Sequence, residues 1–135
     1  MSSTNPRRRQ ATQPVPCQDD VTRADAQLAT DRPVGLPWSA RALYAVVNAD
    51  GALARGLGAA SSAKLATGMY QVVFDQDVSA AAYVGTLGLS GAAGVAASGA
   101  ITVAGRTGIP NGVFVKTFAG DGSAADRSFH LAVLA

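Results

Sequence analysis

From Arg41 to the C-terminus the sequence alternates with a period of two in short runs, each closed by Gly, Asn, Asp or Pro. That pattern excludes a helical domain and calls for short antiparallel strands joined by tight turns. Strands are expected at 42–48 (ALYAVVN), 53–56, 62–66, 69–74 (MYQVVF), 82–89 (AYVGTLGL), 100–105 (AITVAG), 112–118 (GVFVKTF) and 128–134 (SFHLAVL). Turn chemistry falls between them at Asn48-Ala49-Asp50-Gly51, Thr67-Gly68, Pro110-Asn111-Gly112 and Gly120-Asp121-Gly122. The fold class is therefore all-β, an antiparallel β-sandwich of about seven or eight short strands. The segment SGAAGVAASG (90–99) is a small-residue loop between two of them.

The strand faces say more than the strand count. Tyr70, Val72 and Phe74 oppose Met69 and Val73; Phe129, Leu131 and Val133 oppose His130, Ala132 and Leu134; Leu43, Ala45 and Val47 oppose Tyr44 and Val46. Both faces are apolar. A segment of roughly 90 residues buries only about 60–65% of its extended-chain surface, so one face is expected to pack the sandwich and the other to meet a neighbouring copy. Tyr44, Tyr70, Phe74, Tyr83, Phe114, Phe118, Phe129 and His130 are the candidates for core or oligomer interface.

Residues 1–40 read differently. Five of the six prolines and five arginines lie there among polar residues, which describes an extended N-terminal arm ahead of a 41–135 domain. Within it, Asp20 as N-cap followed by Val21, Ala24 and Leu28 at helical spacing allows two or three turns of helix, too short to hold without docking. Arg7, Arg8, Arg9, Val21, Leu28 and Trp38 are the candidate docking residues of this arm. The basic triplet has no apolar run behind it, so no secretory signal is expected, and no stretch approaches a membrane span; cytoplasmic manufacture follows as an expectation.

Chemistry is sparse. A net charge of +2, spread along the chain, gives no nucleic-acid footprint. The one cysteine, Cys17, makes no internal disulfide. Gly56-x-Gly58-x-x-Ser61 followed by Asp75 and Asp77 imitates a dinucleotide fingerprint, but Thr67-Gly68 breaks the chain before a crossover helix can form. Asp75 and Asp77 read as turn residues rather than as an acid pair. His130, the single histidine, has no G-x-S-x-G elbow and no Cys or Glu partners for zinc. No catalytic, cofactor-binding or metal residue is assigned, and the chain is read as a non-enzyme.

Two blocks, LATGMYQVVFDQDVSAAAYVGTL (65–87) and NGVFVKTFAGDGSAADRSFHLAV (111–133), together with LYAVVNADGALARG (43–56), resemble the small trimeric β-domains of phage virion appendages. The same blocks are similar to C-terminal domains of uncharacterised actinobacterial proteins. The resemblance covers about 41–135. It implies a homotrimeric structural protein of the virion, a capsid decoration or head-fibre component gripping the major capsid protein or another virion protein through its arm. A tail-fibre or spike tip for receptor binding is the nearest alternative, and a bacterial adhesin or carbohydrate-binding module, with a host-surface glycan as partner, is a further one. No cofactor, nucleic acid or membrane is implied.

Overall fold

The computed structural model describes residues 13–30 and 42–135, and of residues 28–30 the backbone alone. One helix, α1 (Gln18–Thr30), precedes eight strands: β1 (Ala42–Val47), β2 (Leu53–Leu57), β3 (Ala59–Ala66), β4 (Met69–Phe74), β5 (Ala82–Leu87), β6 (Gly99–Gly105), β7 (Gly112–Ala119) and β8 (Phe129–Leu134). They form two four-stranded antiparallel sheets, β2-β1-β8-β5 and β3-β4-β7-β6. The all-β sandwich read from the alternation is the fold, and each strand lies within two or three residues of its expected bounds.

Three hairpins, β1–β2, β3–β4 and β6–β7, are each confined to one sheet, and the other connections cross between sheets. At the β2–β3 crossing Gly58 has φ 76°. A Cβ there would stand 2.6 Å from the Leu43 side chain, so glycine lets the chain turn the corner against the core. The supposed dinucleotide motif is this corner. Thr67-Gly68 closes the β3–β4 hairpin, with Gly68 in the left-handed region at φ 67°.

The interior holds one side of each alternation. Leu43, Ala45 and Val47 from β1, Tyr70, Val72 and Phe74 from β4, Val113 and Val115 from β7 and Phe129, Leu131 and Val133 from β8 form a continuous core with Val78. Tyr70 and Phe129 meet edge to face, centroids 5.1 Å apart, and the Tyr70 hydroxyl donates to the Ala49 carbonyl at 2.7 Å. Burial raises the Tyr70 pKa above the ordinary phenol value, with the nearby Asp126 charge adding to it. Tyr83 is partly buried beside this core and donates to the Val78 carbonyl at 2.6 Å.

Candidate functional site

With the interior filled, the surface chemistry depends on the two outward faces, which the chain treats differently. The second sheet turns Gln71 and Val73 of β4 and Phe114 of β7 outward, and all three are nonetheless buried. Val73 is covered by the chain's own N-terminal segment, and Gln71 and Phe114 by Arg106, which that segment in turn engages. Ala24 and Val21 of α1 pack with Val73 and with Ile109 of the β6–β7 turn. Residues 13–27, with Arg106, thus supply the second face of β4, where the two-sided alternation had led to the expectation of a neighbouring copy.

Polar contacts fix this segment in register. The Gln13 carboxamide donates to the Gly105 carbonyl at 2.7 Å and accepts from the Thr107 backbone at 2.8 Å and from Arg106 Nη1 at 3.2 Å. Arg106 Nη1 also donates to the Pro14 carbonyl at 2.6 Å, while its Nε donates to Gln71 Oε1 at 2.6 Å. The guanidinium lies 5.8 Å from the Phe114 ring centroid. Burial lowers the Arg106 pKa, and the Asp20 charge works against that shift. Further along, Asn111 Nδ2 donates to the carbonyls of Ala24 at 3.1 Å and Phe74 at 2.9 Å. Its Oδ1 is buried without a partner.

The helix starts earlier than its spacing suggested. Asp20 is not the N-cap: its carboxylate accepts from the Cys17 backbone at 3.1 Å, as the third residue of a capping box does. Arg7, Arg8, Arg9 and Trp38 lie outside the described residues, as does the side chain of Leu28.

The first sheet's outward face is covered at one end only among the described residues: Val46 is 3% exposed, between Arg55 and His130, whose bonds hold the loop after β5 against that row, while the Tyr44 row stands open. Its register sets Leu57, Tyr44, Ala132 and Val84 in one row and Arg55, Val46, His130 and Thr86 in the next, with Ala42, Leu134 and Ala82 beyond. Tyr44, Leu57, Val84 and Leu134 are exposed, Val84 at 56% and Leu134 at 51%. A shallow groove of about 380 Å³ runs over Ala132 between Tyr44 and Val84, bounded by Arg55, Thr86 and His130. The two cationic-type side chains are tied to the loop after β5: Arg55 donates to the Ser90 carbonyl at 2.6 Å, and His130 Nε2 to the Leu89 carbonyl at 2.8 Å. None of the face's described residues is acidic.

The sequence candidates therefore separate into three sets. Tyr70, Phe74, Phe129 and Tyr83 belong to the interior, Phe114 lies under Arg106 at the arm site, Phe118 lies four residues further along β7 under Lys116, and Tyr44 and His130 stand on the first sheet's outward face. Asp77 and Asp121 act as turn acceptors, each taking the backbone N–H and hydroxyl of the serine two residues on, which lowers their pKa values. Asp126 receives Lys64 Nζ at 2.6 Å and the Gly68 backbone at 2.8 Å, bracing the β3–β4 turn. These bonds keep Asp126 below its usual pKa and raise that of Lys64. The two form an ion pair at the surface, one-third exposed on each side. Sequence reasoning missed Gln13, Arg106 and Asn111. An arginine and an asparagine in a Gly/Pro-rich turn gave no signal of what they would hold.

Among the described residues no group of three His, Cys, Asp or Glu side chains is placed to hold a metal ion, and no helix is long and apolar enough to cross a membrane. Comparison with known proteins finds no matching family model, curated protein or solved structure.

Proposed function

We propose that this chain is a self-associating structural module of a virion, a capsid decoration or head-fibre component that presents its β-sandwich as a homotrimer. The observation that carries the reading is the open part of the outward face of β2-β1-β8-β5: Tyr44, Leu57, Val84 and Leu134 stand exposed on it in adjoining rows, while the middle of the opposite outward face, at Gln71, Val73 and Phe114, is covered by the chain itself. An exposed, contiguous apolar surface is what an assembly interface leaves behind when the protomer is viewed alone. The groove between Tyr44 and Val84 is mostly apolar, and Arg55 and His130 at its edge bond the chain's own carbonyls, which suits a protein surface better than a glycan. Attachment to the particle shell falls to the residues ahead of 13, where Arg7, Arg8 and Arg9 can meet an acidic surface in a salt-dependent way. The virion reading is tested by immunogold electron microscopy of lysates from cells expressing the gene during phage production. Label on particle heads is expected; label on tail tips would favour the receptor-binding alternative, and label confined to cell envelopes would contradict both.

A further inference from the structure

Asn111 carries a chemical liability that the fold retains and then covers. Of the chain's three asparagines, Asn5 precedes Pro6, whose nitrogen has no proton to lose, Asn48 precedes Ala49, and Asn111 alone precedes a glycine. The carboxamide of an asparagine is attacked most readily by the backbone nitrogen of a following glycine, because no Cβ hinders ring closure. The turn cannot give that glycine up: a Cβ at Gly112 would stand 2.9 Å from Arg106 Cβ and from Ile109 Cγ2. The carboxamide is equally committed, since its Nδ2 donates to the carbonyls of Ala24 in α1 and Phe74 in β4.

While the arm is docked, every group the reaction needs is held. Asn111 is 0% exposed, its leaving nitrogen is bonded on both sides, and among the described residues no donor reaches Oδ1 to polarise the carbonyl for attack. The Gly112 N–H, which must lose its proton, donates to the Ile109 carbonyl at 3.0 Å, and the Asn111 carbonyl accepts from Phe74 N–H at 2.8 Å. One of these restraints, the bond to Ala24, belongs to the arm. The arm's apolar seam is only Val21 and Ala24 set against Val73 and Ile109, so this layer opens before the strands do. We propose that Asn111 is a deamidation site shielded by the arm: residues 13–27 protect it while docked, and conversion during a release keeps the arm from seating again as before. In the step, the Gly112 nitrogen bonds to Asn111 Cγ, the Cγ–Nδ2 bond breaks, and ammonia leaves carrying, through solvent, the proton that Gly112 loses. Water then opens the cyclic imide at either carbonyl, leaving aspartate or β-linked isoaspartate at position 111. Neither product has a proton to donate at neutral pH, so the Ala24 and Phe74 carbonyls both lose their donor. The change runs one way, and its product records that the arm has been free.

The test follows the full chain at mildly alkaline pH, with peptide mapping for aspartate and isoaspartate at position 111 and amide exchange read on the same samples. The folded wild type should convert about tenfold or more slowly than the same chain unfolded in urea. Arg106→Ala removes the donor to Pro14, and Ala24→Arg overfills a position that is 1% exposed. Both should quicken exchange across residues 13–27 and conversion of Asn111 together, while the strands keep their protection. Should Ala24→Arg unfold the strands, Arg106→Ala decides alone. A wild type that converts as fast as the unfolded chain overturns the proposal. So does conversion that stays at the wild-type rate in a variant whose arm exchanges faster, or an arm that remains protected when its contacts are removed. Asn111→Asp stands for one product: its residues 13–27 should exchange about tenfold faster than those of the wild type, the factor a lost buried donor carries. An Asn111→Asp arm as protected as the wild type's would show that conversion leaves docking untouched, and would overturn the proposal as well.

Discussion

The outward faces of the two sheets begin from similar sequence and end in opposite conditions. β4 alternates Tyr70, Val72 and Phe74 with Gln71 and Val73, and β8 alternates Phe129, Leu131 and Val133 with His130, Ala132 and Leu134. On β4 the second set is buried, Val73 under α1 and Gln71 against Arg106; on β8 His130 and Ala132 are half-buried and Leu134 is exposed. A two-sided apolar strand thus states that a partner is needed, not which one. The chain's own helix is the less costly partner, since it is already tethered.

The sharpest way to break this comparison is to place the same charge on each face. Val73→Asp puts a carboxylate into the apolar seam between β4 and α1 and should cost about 2 kcal/mol or more, even with Arg106 close by on the same face. Val84→Asp, on the bare face, should change the protomer's unfolding free energy by no more than about 0.5 kcal/mol. Urea denaturation of both variants, at a dilution where copies are separate, measures the contrast; equal losses would mean that the two faces are covered alike.

Asn111→Ala comes next. It leaves the carbonyls of Ala24 and Phe74 without their donor inside the structure, and about 1–3 kcal/mol of stability should go. Arg106→Ala removes the donor to Pro14 and Gln71 but leaves the α1 seam, so its effect should be local. Amide exchange should quicken across residues 13–27 while the strands keep their protection. If β1 and β8 lose protection to the same extent, the arm is not a separate layer.

The smallest effect belongs to the Lys64–Asp126 bridge, a one-third exposed pair that anchors the β3–β4 turn away from both contested faces. Asp126 has its pKa lowered in the fold, so its contribution is present above the carboxylate's unfolded pKa and fades as pH falls through the folded one. Lys64 has its pKa raised, so its contribution is present below the unfolded lysine value and is lost as pH climbs through the folded one. The melting temperature of the wild type should fall slightly more than that of Asp126→Asn on acidification from pH 6 to pH 3. A larger fall in the variant would mean the bridge has the opposite sign.

The strands were legible because period two and turn residues are local signals: Tyr70, Phe129 and their neighbours could be placed on one side of a strand without knowing the fold. What faces the other side is a long-range fact. Gln13 meets Thr107 across 94 positions of chain, and Arg106 meets Gln71 across 35, through hydrogen bonds that leave no periodic trace. The helix was legible from Val21 and Ala24, but its docking place was not, because those two small side chains fit many apolar surfaces. His130 and Tyr44 were recognised as interface candidates from alternation alone. Their setting, an outward face with no acidic residue among those described, required the strand order β2-β1-β8-β5.

The central claim is that the Tyr44–Val84 face is the surface through which copies meet, and native mass spectrometry of the full chain at micromolar concentration tests it most directly. The account predicts a homo-oligomer, with three copies the expected number, and a Val84→Asp chain that runs as a monomer while retaining its far-ultraviolet β signature. A wild-type monomer under those conditions, or a Val84→Asp chain that assembles as the wild type does, would contradict it.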